Sequence, residues 1–168
     1  MPTLYIINGP CGVGKSTTAQ ALNEHIPFSY LVDVRQLMEN LSRQYEDDEI
    51  RWSLRDTLVP AAISASLSTG RDTIVDKMST DHKTLDAYYS LAEQHSATIK
   101  EILLFASLEE VLRRSQERGY EEGHWWTPER CKHYWHQVDQ IKNGRPQAQI
   151  VQVQDKTTQQ LITEIVAS

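Results

Sequence analysis

Cysteine is scarce: Cys11 and Cys131 are the only two in 168 residues. Two thiols cannot form a disulfide framework, so the fold has to rest on a hydrophobic core, and such usage fits a reducing compartment. No apolar run approaches the ~20 residues that a membrane-spanning helix needs. The N-terminus, Met1-Pro2-Thr3-Leu4-Tyr5-Ile6-Ile7, has no basic leader, and its apolar stretch is too short for a signal peptide. Positive charge is also in deficit, with 17 Lys and Arg against 23 Asp and Glu and a formal net charge of -6. That argues against nucleic acid or an anionic membrane as partner, because both are bound by neutralising phosphates. No repeat, low-complexity tract or Pro-, Gly- or Ser-rich linker divides the chain. The expectation is one cytoplasmic domain over 1–168, as a monomer or homodimer.

What recurs is an alternation of short β-rich runs with longer helical patterns, which predicts an α/β fold with a mostly parallel sheet. The runs lie at 4–7, 29–34, 73–76, 99–105 and 150–153, and several are continuously apolar, as strands buried on both faces are. Helices are predicted over 16–25, with Ala19, Leu22 and Ile26 at helical spacing, and over 34–45, with Leu37, Met38 and Leu41. Ser53 with Asp56 reads as a capping box opening a stripe of Leu54, Leu58, Ala61 and Ala65, kinked at Pro60. Thr80 reads as the cap of a helix reaching about His95, with Leu85, Tyr88, Tyr89 and Ala92 turned inward. Ser107 with Glu110, Thr127 before Pro128, and Thr157 with Gln160 mark three further helix starts. The predicted order is βαβααβαβααβα.

One motif is specific. Gly9-Pro10-Cys11-Gly12-Val13-Gly14-Lys15-Ser16 fits G-x-x-x-x-G-K-[ST] at every fixed position, and it follows the first strand and opens the first helix. Glycines let the backbone curl so that successive N–H groups face phosphate oxygens, and the helix N-terminus adds its positive dipole end. Lys15 can reach the β- and γ-phosphates, and the Ser16 hydroxyl can bind Mg²⁺. The expected nucleotide-binding set is Gly9, Cys11, Gly12, Val13, Gly14, Lys15, Ser16 and Thr17. A dinucleotide fingerprint is excluded, because no third glycine follows Gly12-Val13-Gly14 at the required spacing.

In open α/β sheets functional residues gather at the carboxyl ends of the strands. Asp33 lies near the end of the second run and Asp76 ends the third, with Lys77 after it, so both carboxylates belong on the rim that carries the P-loop. Asp33 is suited to accept a proton from an attacking hydroxyl or to hold a water on the metal. Asp76 resembles a Walker B aspartate that would share the metal with Ser16. The plainer alternatives are that Asp33 caps the next helix and that Asp76 is a solvated loop acid.

Arg114 and Arg118 are four residues apart, on one helix face just before Gly119. The polar, aromatic stretch that follows predicts a lid segment around 114–127, which would close the arginines over ATP and exclude water. The alternative is an ordinary basic face paired with Glu109, Glu110 and Glu117. Cys131, His133 and His136 lack structural-zinc spacing, and a helix that exposes both histidines is the favoured reading. The acidic run 46–49 reads as a solvated loop.

Together these residues resemble the small P-loop kinases: the shikimate kinase and gluconate kinase group, chloramphenicol phosphotransferase, and relatives labelled AAA-type ATPases. The resemblance implies a three-layer P-loop NTPase fold, with a five-stranded parallel sheet in the order 2-3-1-4-5 flanked by helices. It also implies Mg²⁺-dependent transfer of the ATP γ-phosphate to the hydroxyl of a small-molecule substrate. On that analogy Lys15, Asp33, Arg114 and Arg118 are catalytic, Arg114 also lying near the adenine, while Asp33, Arg35, Asp76 and Lys77 face the substrate. Departures exist: the second aspartate of shikimate kinases is Arg35 here, and the gluconate kinase pattern after the second strand is absent. Two alternatives stay open, a nucleoside or polynucleotide-end kinase and a nucleotide-hydrolysing regulatory protein.

Overall fold

The computed structural model describes residues 1–41, 48–119 and 127–167. Five parallel strands, β1 (Thr3–Asn8), β2 (Tyr30–Asp33), β3 (Thr73–Asp76), β4 (Thr98–Phe105) and β5 (Gln149–Gln152), form one sheet in the order β2-β3-β1-β4-β5. Seven helices accompany them: α1 (Lys15–His25), α2 (Val34–Glu39), α3 (Asp48–Ser68), α4 (His82–Gln94), α5 (Leu108–Glu117), α6 (Pro128–Asn143) and α7 (Thr158–Ala167). The element order is the one read from the sequence, and the strand order is the one the resemblance implied.

Strand side chains alternate between two cores, because successive residues of a strand point to opposite faces. On one face Ile7, Ile74, Ile102 and Leu104 pack with Ala19 and Leu22 of α1 and with Leu161, Ile162 and Ile165 of α7. On the other, Leu4, Ile6 and Val75 pack with Val59, Ile63 and Leu67 of α3 and with Leu85, Tyr88 and Ala92 of α4. The central strands are thus apolar on both sides, which is why their sequences show no polar alternation. Among the described residues no helix is long and apolar enough to cross a membrane.

Helix starts follow the caps in most places. Ser107 accepts from the Glu110 N–H and Thr127 from the Arg130 N–H. Thr157 and Gln160 form a reciprocal box, with the Thr157 N–H donating to Gln160 Oε1 and the Gln160 N–H donating to Thr157 Oγ1. At α4 the cap is Asp81 rather than Thr80; its carboxylate accepts from both the N–H and the hydroxyl of Thr84.

Four further expectations fail. Ser53 lies inside α3, which begins at Asp48 and runs on through Pro60. Glu49, read as loop, sits in its first turn, where a carboxylate complements the helix dipole. The stripe of Leu54, Leu58, Ala61 and Ala65 faces solvent, while Val59, Ile63, Ser66 and Leu67 face the sheet. Both sets have helical spacing, and only contact with the sheet separates them. The helix predicted over 34–45 ends at Glu39 with Asn40 as its C-cap, and positions 42–45 lie outside the described residues. So do 46, 47 and 120–126 and hence half of the predicted lid, although its two arginines are described.

Candidate active site

The P-loop begins where β1 ends. Asn8 is fully buried and ties this corner together: its Oδ1 accepts from the N–H groups of Gly9 at 2.8 Å and Ser79 at 2.9 Å, while its Nδ2 donates to the Ser79 carbonyl. Two glycines are required by geometry. Gly9 has φ +149°, and a Cβ there would lie 2.3 Å from the Leu104 carbonyl oxygen. Gly12 has φ +74°, and a Cβ there would approach Ser115 Oγ and the Val111 carbonyl of α5 to 3.0 and 3.1 Å. The loop is therefore pressed against β4 on one side and α5 on the other. Gly14 is the N-cap of α1 and supplies no side-chain cap, and the first turn has no acid. The leading N–H groups of α1 are left for an anion, with the helix dipole behind them.

Lys15 Nζ donates to the Pro10 carbonyl at 2.9 Å, folding its charge back across the loop. Burial lowers its pKa; the Asp76 carboxylate opposes that and the Arg118 charge adds to it. Arg118 is thereby within electrostatic reach of the P-loop lysine. Cys11 is buried, and its thiol is pushed up to about 12, first by desolvation and then by the neighbouring Cys131 thiol. Both cysteines are free. Cys131 also donates to Ser115 Oγ at 3.8 Å, so the two thiols and α5 meet beneath the loop.

Asp33 and Asp76 are register partners on adjacent parallel strands. Burial raises the Asp76 carboxyl above its ordinary value; the Ser16 hydroxyl and the Lys15 ammonium lower it, and Asp33 raises it further. Asp33 also caps α2, its Oδ1 accepting from the Gln36 N–H at 2.9 Å. The cap and the rim carboxylate are thus one side chain, with Oδ2 left over. Ser16, Asp33, Arg35 and Asp76 line one cavity of about 380 Å³, completed by Gln20, Asn23 and Glu24 of α1. The Arg35 side chain is 75% exposed and lies 4.0 Å from Glu39. Ser16 and Asp76 offer hard oxygen ligands, which suit Mg²⁺. Among the described residues no three His, Cys, Asp or Glu side chains gather as a metal cluster, and His133 and His136 are exposed on α6.

On the other side of the loop, Gly12, Val13, Gly14 and Thr17 line a second cavity, of about 330 Å³, with Arg114, Glu117 and Arg118 of α5 and Val153, Lys156, Thr158 and Leu161 after β5. Arg114 is paired with Glu110, whose carboxyl is held at about 2 by Arg113 and Arg114. Arg113 pairs with Glu110 and Glu117 and does not line the cavity. The basic face foreseen as an alternative therefore exists, but it divides: Arg113 is spent on acids, and Arg118 makes no ion pair among the described residues.

Lys77 stands apart from the other candidates. Asp76 points to the α1 side, whereas Lys77 is 9% exposed, lies 3.9 Å from Asp56 of α3 and sits over the Tyr88 ring of α4. Burial lowers its pKa to about 8; Arg55 also lowers it, and Asp56 and Asp81 raise it. Sequence reading missed Gln20 and Glu24, whose signal was the i, i+4 and i+8 spacing from Ser16. It also missed Val153, Lys156 and Thr158, which follow the carboxyl end of β5, where an open sheet collects ligands.

A P-loop between strands 1 and α1, two strand-end carboxylates and the order 2-3-1-4-5 define a P-loop kinase fold. The chain belongs to an AAA-domain family, whose model matches residues 4–133. No curated protein matches the sequence. Among solved structures, a tunicamycin resistance protein from Deinococcus radiodurans is 22% identical with TM-score 0.72, over 99% of this chain and 95% of that one. A gluconokinase from Sinorhizobium meliloti 1021 is 18% identical with TM-score 0.67, over 99% and 90%. A chain of the Pnkp1/Rnl/Hen1 RNA repair complex is 20% identical with TM-score 0.72, over 85% of this chain and 46% of that one. At these identities the likeness is one of fold.

Proposed function

We propose that the protein is an ATP-dependent phosphotransferase that moves the γ-phosphate to a hydroxyl of a small molecule. The observation that carries this reading is the placement of Asp33 and Asp76 beside Ser16 on one cavity, at the ends of the two strands on that side of the P-loop strand. A second carboxylate facing that cavity suits an acceptor hydroxyl, which a passive nucleotide sensor does not have to position. The named likeness to a gluconokinase supports it at the level of fold.

Phosphoryl transfer demands little covalent work of the protein, so positioning and charge neutralisation dominate. The N–H groups of residues 12–16 and the Lys15 ammonium hold the β- and γ-phosphates. Ser16 and Asp76 would hold a Mg²⁺ ion, which supplies charge neutralisation on the phosphate oxygens. Asp33 Oδ2 orients the acceptor hydroxyl and takes its proton as the acceptor oxygen bonds to the γ-phosphorus. The bond from that phosphorus to the β,γ-bridging oxygen breaks, and its electron pair leaves with ADP. Arg118 and Arg114 offset the charge from the α5 side. Arg35 lies on the acceptor's side of the cavity.

The test is ADP release from Mg²⁺-ATP across sugar acids, polyols, nucleosides and hydroxyl-bearing antibiotics, with Lys15→Ala as control. Acceptor-dependent release that disappears in the control supports the reading; an ATPase rate indifferent to every acceptor contradicts it. A polynucleotide end as acceptor is the second reading, favoured by the likeness to the RNA repair chain and opposed by the net charge of -6. Oligonucleotide binding with a steep salt dependence would select it.

A further inference from the structure

The outer face of α3 is apolar where a solvent face is ordinarily polar. Leu54, Leu58, Ala61 and Ala65 recur along it at helical spacing, and all four are exposed. Beside this face lies β2, the outermost strand of the sheet, where Phe28 and Tyr30 are 79% and 56% exposed. Between the two aromatics and α3 is a hollow of about 360 Å³, lined on the helix side by Ala62, Ala65 and Thr69. Phe28 has φ +60°, in the left-handed region that a bulky side chain rarely adopts and that costs about 1–3 kcal/mol. The Arg71 guanidinium lies 5.2 Å from the centre of its ring and props it in place. A strained, propped and exposed aromatic at the mouth of a hollow has the character of an interface anchor, because rigid aromatics and arginines carry most of the energy of association.

The patch is complementary to itself. Positions 58, 62, 65 and 69 form one row of the helix, so the ridge made by Leu54 and Leu58 leads directly into the hollow. A two-fold axis at Ala61 lays a second α3 antiparallel on the first, with position 58 opposite 64 and position 54 opposite 68. The leucine ridge of each copy then runs along the Ala65–Thr69 wall of the other's hollow, and the small Ala61 lets the two helices approach closely. The area is of the right order. For side chains of about 200 Å², Phe28 and Tyr30 expose about 270 Å², a third of the roughly 800 Å² that each partner buries in a standard interface. The exposed side chains from Leu54 to Thr69 extend the patch along about 22 Å of helix, which brings it to the size a dimer needs. A monomer rarely exposes so much continuous apolar surface.

We propose that the outer face of α3 and the hollow beside Phe28 and Tyr30 form the interface of a two-fold homodimer, in which Leu58 of each copy is seated in the hollow of the other. None of these residues lines either cavity beside the P-loop, so the interface leaves both open and stands independently of the phosphotransferase reading.

Sedimentation velocity of the full chain from about 1 to 100 µM should show a dimer. Leu58→Glu should raise its dissociation constant at least about 30-fold. Phe28→Gly, which removes the ring without adding backbone strain, should raise it at least about tenfold. Both variants should keep the far-UV circular dichroism of the wild type. If either loses it, crosslinking decides. A short bismaleimide should join two copies through Ala61→Cys, at the axis, and not through Ser53→Cys, which is exposed on another side of the same helix. The native Cys11 and Cys131 are buried, and wild type serves as the blank. A chain that stays monomeric up to about 100 µM leaves this face to a different protein and overturns the proposal. A dimer indifferent to both Leu58→Glu and Phe28→Gly, or crosslinking as fast through Ser53→Cys as through Ala61→Cys, puts the interface elsewhere and overturns it too.

Discussion

Asp33 and Asp76 stand side by side at the carboxyl ends of β2 and β3, where burial raises the Asp76 carboxyl above its ordinary value and the negative charge of Asp33 adds to it. Two carboxylates held this close do not share a task easily. One is opposed by burial but has a hydroxyl partner, Ser16, and the pull of Lys15, which both favour its ionised form. The other spends one oxygen on the backbone of α2 and keeps the second for the cavity. In the function proposed above, this difference in partners gives metal holding to Asp76 and the acceptor hydroxyl to Asp33.

Asp33→Asn separates the two duties of that residue. Asparagine caps a helix about as well as aspartate, so Tm should hold. An amide cannot take the acceptor proton, so kcat should fall about 100- to 10,000-fold. ATP affinity, measured by direct titration, should stay within about threefold. Equal losses in turnover and affinity would remove Asp33 from the chemistry.

Gly9→Ala tests the packing of the loop against β4. The new methyl would sit 2.3 Å from a backbone oxygen that cannot swing away, at a φ that disfavours a side chain. Stability should drop by about 1–3 kcal/mol, read from denaturant unfolding. Nucleotide binding should weaken with it, because the whole loop must shift.

Cys11 should be a slow thiol despite its place in the loop. With its pKa pushed up to about 12, the thiolate is a trace species at neutral pH. Alkylation of the native protein should run more than about 100-fold slower than for an exposed cysteine and gain about tenfold per pH unit. Denaturation should restore the ordinary rate. Rapid labelling of native Cys11 at pH 7 would mean the loop opens readily.

Arg118→Ala should lower turnover about tenfold or more while leaving Tm unchanged, since the side chain is exposed and unpaired among the described residues. Arg113→Ala, whose guanidinium is committed to Glu110 and Glu117, should leave turnover near wild type. Equal turnover in both variants would reduce α5 to a surface helix.

Sequence alone located the loop between β1 and α1 because the P-loop restricts identity at fixed positions, and it reached Ser107, Thr127 and Thr157 because a cap acts within four residues. The face of α3 was not legible. Leu54 and Leu58 have the same spacing as Val59 and Ile63, and the choice between them is made by a sheet distant in sequence. The strand order came from the resemblance, since parallel strands of similar composition carry no label of their neighbours. The separation of Asp76 from Lys77 was missed for a different reason: adjacent residues at a strand end leave on opposite faces, so proximity in sequence placed Lys77 beside the wrong wall. Asn8 gave no motif at all, because its role in pinning the loop depends on a contact more than 70 residues away.

The measurement that bears most directly on the central claim is the fate of labelled γ-phosphate from Mg²⁺-ATP, followed in wild type and Lys15→Ala with and without an acceptor. Transfer of label to the acceptor hydroxyl by wild type, and its absence in Lys15→Ala, is the expected result. Label appearing only as inorganic phosphate whatever acceptor is present, or unchanged transfer by Lys15→Ala, would contradict the account.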